Sequence, residues 1–129
     1  MTPWTIECRL PAAARRPVES TPPPCEPGRV PRVARWLALA IRLEARLAAG
    51  TLADAATVAR DAHVTRARVS QVLNLAFLAP DIQEAVLGLP RVAAGRDPVT
   101  LGDLQRIALT LDWRGQRRLF AGLRRAKGF

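Results

Sequence analysis

The stretch HVTRARVSQVLNL, His63 to Leu75, decides the fold. Its apolar positions Val69, Val72 and Leu73, continued by Ala76, lie 3, 1 and 3 residues apart, which lines them along one stripe of an α-helix. Thr65 stands where that helix needs an N-cap, its hydroxyl able to accept from a backbone N–H of the first turn. His63 stands where the chain must turn. A tight turn needs a left-handed residue, a conformation easy for Gly and tolerated by Asn, Asp and His, so His63 reads as a turn residue and not as a ligand. Opposite the stripe stand Ala67, Ser70, Gln71 and Asn74, flanked by Arg66 and Arg68, and no acid interrupts them. One side of this helix belongs to a core and the other is built for a partner.

Working outward, Thr51 followed by Asp54 predicts the capped start of a preceding helix that runs to Asp61 and buries Leu52, Ala55, Val58 and Ala59. Ala62, His63 and Val64 connect the pair, and two short helices across so short a turn form a helix-turn-helix over about residues 51–78. From Arg32 apolar residues recur at Val33, Trp36, Leu37, Ala40, Ile41, Leu43 and Leu47, a helix that Pro31 can open and Gly50 stops. Pro80 opens PDIQEAVLGL, PRVAAGRDP is a loop, Thr100 with Asp103 caps LGDLQRIALTL, and Asp112 caps WRGQRRLFAGLRRA. The expected architecture of residues 32–129 is an all-α helix-turn-helix bundle of about six helices without internal repeats. Residues 1–31 hold 8 of the 11 prolines and read as an extended, mobile arm. Within the arm WTIECRL alternates well enough for a short strand, residues 4–10.

A chain of 129 residues makes one domain. Apolar residues make up 49% of it but aromatics only 5%, with no Tyr, so Ala, Leu and Val must fill the core, which favours short helices over a β-sandwich. The net charge of +9 points to a polyanion, either nucleic acid or an anionic membrane. Composition alone is a competing explanation, since all but one of the 20 basic residues are Arg. VARWLALAIRLEARLAA is broken by Arg35, Arg42, Glu44 and Arg46 and reads as a helix of a soluble body, not a membrane span. Cys8 and Cys25 form no CxxC and join no Cys/His cluster, so no zinc site is expected, and free thiols in a reducing compartment are the simpler reading. With no signal peptide in view, a cytoplasmic, nucleoid-associated protein is expected.

Catalysis finds no support. One His cannot build a metal cluster, Ser70 has no base at readable spacing, the glutamates form no paired set, and neither a P-loop nor GxGxxG occurs. No enzyme and no cofactor are expected. The polar face of residues 66–74 fits a different chemistry. Arg grips guanine or a phosphate, Gln and Asn pair bidentately with adenine, and Ala meets a thymine methyl, so the fitting target is the major groove of duplex DNA. The candidate contacts are Thr51, Thr65, Arg66, Ala67, Arg68, Ser70, Gln71 and Asn74. In the last helix Arg114, Arg117 and Arg118 are added as phosphate contacts. That basic helix also has an apolar side, Leu119, Phe120 and Leu123, which suits packing, a homodimer contact, or a membrane surface. The alternatives to a DNA-reading regulator or mobile-element accessory factor are a module that docks onto a recombinase-like enzyme and an RNA-binding protein.

The stretch ATVARDAHVTRARVSQVLNLAFLAPDIQEAVL resembles the helix-turn-helix of ParB-type partition and plasmid-repressor proteins over roughly residues 51–90. The resemblance lies in the small Ala59 between the helices, the capping Thr65, the Leu-rich end from Leu73 to Leu78, and the run from Pro80 to Gln83. It implies a DNA-reading module. His63 stands where the family usually has Gly, and no Gly/Arg-rich phosphate motif occurs upstream, so the resemblance does not extend to nucleotide binding.

Overall fold

The computed structural model describes residues 27–129, and the strand expected at residues 4–10 and both cysteines lie outside them. The described chain is all-α, with six helices and no strand: α1 (Arg32–Ala48), α2 (Ala55–Asp61), α3 (Arg66–Leu73), α4 (Pro80–Leu87), α5 (Leu101–Ala108) and α6 (Trp113–Lys127). A single 3-10 turn, Asn74–Phe77, prolongs α3.

α1 is the axis of the bundle and packs on α3, the 3-10 turn, α4 and α5. Its buried residues, Val33, Ala34, Leu37 and Ala40, fall in its first half, whereas Trp36, Ile41, Leu43 and Leu47 are only partly covered. Around it close Val72, Leu75, Leu78, Ile82, Val86, Leu104, Ile107 and, from α6, Phe120. α6 packs on α5, and Phe120 meets Phe129 edge to face with centroids 6.0 Å apart.

The core line of α3 departs from the expected stripe. Val69, Val72, Leu75 and Leu78 are buried, while Leu73 and Ala76 are half-buried. The reason is the tightening to three residues per turn after Leu73, which carries the buried line forward in steps of three. The backbone is held there by two glutamines. Gln83 Nε2 donates to the carbonyls of Ala76 (3.0 Å) and Leu78 (2.8 Å). Gln116, the only buried polar side chain among the described residues, accepts from Ala79 N–H (2.8 Å) and donates to Phe77 O (3.2 Å) and Thr110 O (2.8 Å).

The arm assigned to residues 1–31 is too long at its C-terminal end. Pro31 is buried, and Arg29 forms an antiparallel bridge with Val92, N–H to O distances 3.0 and 2.9 Å. Arg29 also reaches Gly95 O (2.8 Å) and Asp97 (2.7 Å). Pro31 gives α1 no capping side chain, and Asp97 supplies the cap from 65 residues away by accepting from Arg32 N–H at 2.8 Å. The loop between α4 and α5 is thereby fastened to the start of α1.

Candidate nucleic-acid interface

α1 ends in a Schellman motif. Gly50 takes a left-handed φ of 72°, its N–H bonds Leu47 O, and Thr51 N–H bonds Arg46 O. The Thr51 hydroxyl donates to the same Arg46 carbonyl at 3.0 Å. Thr51 therefore closes α1 and does not cap α2, as its sequence position suggested. The N-cap of α2 is Asp54, which accepts from Thr57 N–H (2.7 Å) and Thr57 Oγ1 (2.8 Å). These bonds from Thr57 hold the Asp54 carboxyl below its usual value, with Arg60 and Arg66 adding to the effect, so a negative charge sits at the start of α2.

The turn into α3 follows the same pattern one helix later. His63 is the only non-glycine residue with positive φ, 53°, among the described residues, with His63 N–H on Arg60 O and Val64 N–H on Ala59 O. The expected turn role of His63 holds, and its side chain is exposed. Thr65 caps α3 as expected, accepting from Arg68 N–H at 3.2 Å. Ala59 and Val69 are buried where α2 and α3 pack together.

Of the residues expected on the polar face, Thr65, Arg66, Ala67 and Ser70 are exposed, and Gln71 and Asn74 are partly so. Arg68 leans toward α1 while still touching Gln71. Its guanidinium lies 5.3 Å from the ring centroid of Trp36 on α1, and it donates to Gln71 Oε1 at 3.4 Å. The face of α3 thus has two unequal borders, an acid-capped α2 on one side and an arginine-bearing α1 on the other.

The α6 arginines stand toward the Asn74 end of this face and away from Arg66: Gln116 anchors the first turns of α6 to residues 77–79, just beyond Asn74. Arg114 and Arg118 are exposed there. Arg117 is held in a two-bond pair with Asp81, Nε to Oδ2 2.9 Å and NH2 to Oδ1 3.1 Å. That pairing lowers the pKa of Asp81 and raises that of Arg117, so the charge of Arg117 is matched within the fold.

Sequence reasoning missed the arginines beside α1. Arg32, Arg35 and Arg96 line the cleft at Trp36 together with Arg68, and among the described residues the only carboxylate lining it is Asp97, already bound by Arg29 and Arg32 N–H. Their spacing of three residues on α1 was legible, but the approach of Arg96 depends on the docked loop, which no local pattern announces. Among the described residues no cluster of His, Cys, Asp or Glu could hold a metal, and no helix is long and apolar enough to cross a membrane. No family model, no curated protein and no solved structure matches the chain.

Proposed function

We propose that the chain is a sequence-reading duplex-DNA-binding protein whose α3 enters the major groove, acting in transcriptional control or as an accessory factor of a mobile element. The observation that carries this reading is the acid-free face of α3. Arg66, Ala67 and Ser70 stand exposed on a capped helix, and Gln71 and Asn74 continue the face toward its end. These groups are the ones whose geometry matches base edges in the major groove. The resemblance of residues 51–90 to ParB-type helix-turn-helix modules belongs to the same proposal. A single helix of this length reaches few base pairs, so the working unit is a dimer on two half-sites about one helical turn apart.

Selection of bound sequences from a random duplex pool tests the reading. An enriched motif is expected, and Gln71→Ala or Asn74→Ala should weaken binding to it by about 1–3 kcal/mol while leaving random duplex nearly untouched. No enrichment, or enrichment indifferent to both substitutions, refutes it.

A second reading has its own observation. Leu111 is 99%, Leu109 65%, Phe77 63% and Trp113 49% exposed. The backbones of Phe77 and Thr110 share the Gln116 amide, so these side chains surround one corner of the bundle. Solvated apolar side chains so grouped favour a protein-docking role, with a recombinase-like enzyme as partner. Retention of partner binding by Gln71→Ala, with its loss in Leu111→Asp, would separate docking from DNA reading.

A further inference from the structure

We infer that the arginine-lined groove beside α1 seats the phosphate backbone of one DNA strand, the strand bounding the groove that α3 enters. This inference rests on the DNA reading of α3 and adds a second contact surface to it.

The groove is real space. One part, of 690 Å³, lies between the start of α1, Arg68 and the loop carrying Arg96, and a second, of 450 Å³, continues along α1 past Arg35 to Leu39. Arg32, Trp36 and Arg68 line both parts, so the two run together. From Arg32 to Leu39 the groove follows α1 for about 10 Å at 1.5 Å per residue. A DNA strand carries one charge per about 3.4 Å of helix axis, but its phosphates lie farther apart along the winding strand itself, so that length accommodates about two phosphates. An elongated track suits a strand better than a compact ligand.

Among the described residues four of the groove arginines form no salt bridge. The salt bridges among the described residues join Arg29 to Asp97, Arg117 to Asp81 and Lys127 to Asp103. Arg32, Arg35, Arg68 and Arg96 are in none of them. Both oxygens of Asp97 are occupied, Oδ1 by Arg29 and Oδ2 by Arg32 N–H, so its role is to hold the loop and Arg96 in place. Between the guanidinium groups the floor is apolar, formed by Trp36, Val33 and Leu39, a surface suited to the sugar faces between phosphates.

The position is the decisive point. Arg68 belongs to both surfaces, as the third residue of α3 and as the cation lying on Trp36. The opposite border of α3 cannot serve equally. The N-terminus of α2 is already occupied by the ionised Asp54, and the Thr51 hydroxyl is turned onto Arg46 O. α2 offers Arg60 as its one cation against four arginines of the groove, so cationic support for α3 is weighted to the α1 side and the duplex is gripped asymmetrically.

The test measures binding of the full chain to the selected duplex and to a random duplex of equal length across a KCl series. Arg35→Ala combined with Arg96→Ala removes two exposed side chains that make no hydrogen bond within the described fold. The slope of log K against log salt should fall in magnitude by about 1.8, about 0.9 for each phosphate no longer neutralised, and equally on both duplexes, so that the preference between them is unchanged. An unaltered slope in the double variant overturns the groove while leaving the α3 reading intact. A changed preference with an unaltered slope also overturns it, because the arginines would then read bases. Failure of the unsubstituted chain to bind either duplex brings down the α3 reading and the groove with it.

Discussion

Gln116 is the residue on which the end of α3 hangs, and Gln116→Met should show it. Met conserves the length of the side chain and fills the site but removes all three hydrogen bonds. Ala79 N–H, on a residue with 0% exposure, is left without an acceptor, and an orphaned buried donor costs about 1–3 kcal/mol. The Phe77 and Thr110 carbonyls are deprived of a shared donor, but both residues have some access to water, so each adds about 0.5–1 kcal/mol. Taking the middle of these ranges gives a loss of about 3.5 kcal/mol, a large part of the ~5–15 kcal/mol that holds such a domain together. At about 4–8 °C per kcal/mol, the thermal midpoint should drop by roughly 14–28 °C. Helical circular dichroism followed through a melt is the assay. Gln116→Glu sharpens it, because an oxygen remains for Ala79 while a second oxygen is set against two carbonyls, so this variant should melt below Gln116→Met at neutral pH. A Gln116→Met midpoint within about 3 °C of the parent would mean that the three bonds contribute almost nothing net, and the reasoning would fail.

Four further outcomes follow from the packing and the ion pairs. Val69→Asp and Leu75→Asp should abolish the cooperative melt, since an unpaired buried carboxylate costs several kcal/mol, whereas Leu73→Asp at a half-buried site should leave a folded, weakened protein; equal melts for the three would misplace the core line. Deleting residues 1–26 should preserve the fold, because the core cluster is drawn from residues between Val33 and Phe120, whereas deleting residues 1–31 removes buried Pro31 and the bonds made by Arg29 and should lower the midpoint clearly; identical midpoints would show that the docked segment is dispensable. Asp54, Asp81, Asp97 and Asp103 are all held below the ordinary carboxylate value, so their stabilisation is present above about pH 4 and is lost as pH falls through the lowered values; urea midpoints unchanged between pH 6 and pH 3 would contradict the pairing. Sedimentation equilibrium with the selected duplex should give two chains per site, and a strict monomer on a site without inverted symmetry would remove the dimer from the proposal.

What the sequence made legible was most of what near neighbours govern. The left-handed His63, the caps at Thr65, Thr100 and Asp112, the stop at Gly50 and the order of six helices follow from short-range rules, and each is found in place. The Thr51 assignment failed within the same short range. Thr51 and Asp54 fit a capping pattern, but the left-handed Gly50 folds Thr51 back onto α1, and the cap passes to Asp54 with Thr57. The core line shifted from Leu73 to Leu75 because a stripe drawn at 3.6 residues per turn cannot anticipate tightening to three. Gln116 and Asp97 were illegible for a different reason. Each is a polar residue in a polar context, and its partner lies 37 residues away for Gln116 with Ala79 and 65 residues away for Asp97 with Arg32. Among the residues of the candidate site, the face of α3 was legible from its own helix, whereas the groove depends on a loop that only tertiary bonds bring to α1.

The surplus of arginine has two explanations that counting cannot separate: a general compositional bias, or selection for a polyanionic partner. Placement can. A bias that sows arginine evenly should leave acids and arginines mixed on every face. Instead the ion pairs fall at the start of α4, at the docked loop and between α5 and the end of α6, each fastening one segment to another. Arg117, one of the three α6 cations expected to contact phosphate, is matched by Asp81. Arg32, Arg35, Arg68 and Arg96 face a groove whose one acid is fully bonded, next to a helix face with no acid at all. The distinction has a measurable consequence. If placement reflects a polyanion, removing Arg117 should cost stability and leave the salt slope of DNA binding almost unchanged, whereas removing Arg35 and Arg96 should leave stability almost unchanged and lower the slope. Compositional bias alone predicts no such division, and a result in which all three arginines contribute alike to the slope would favour it.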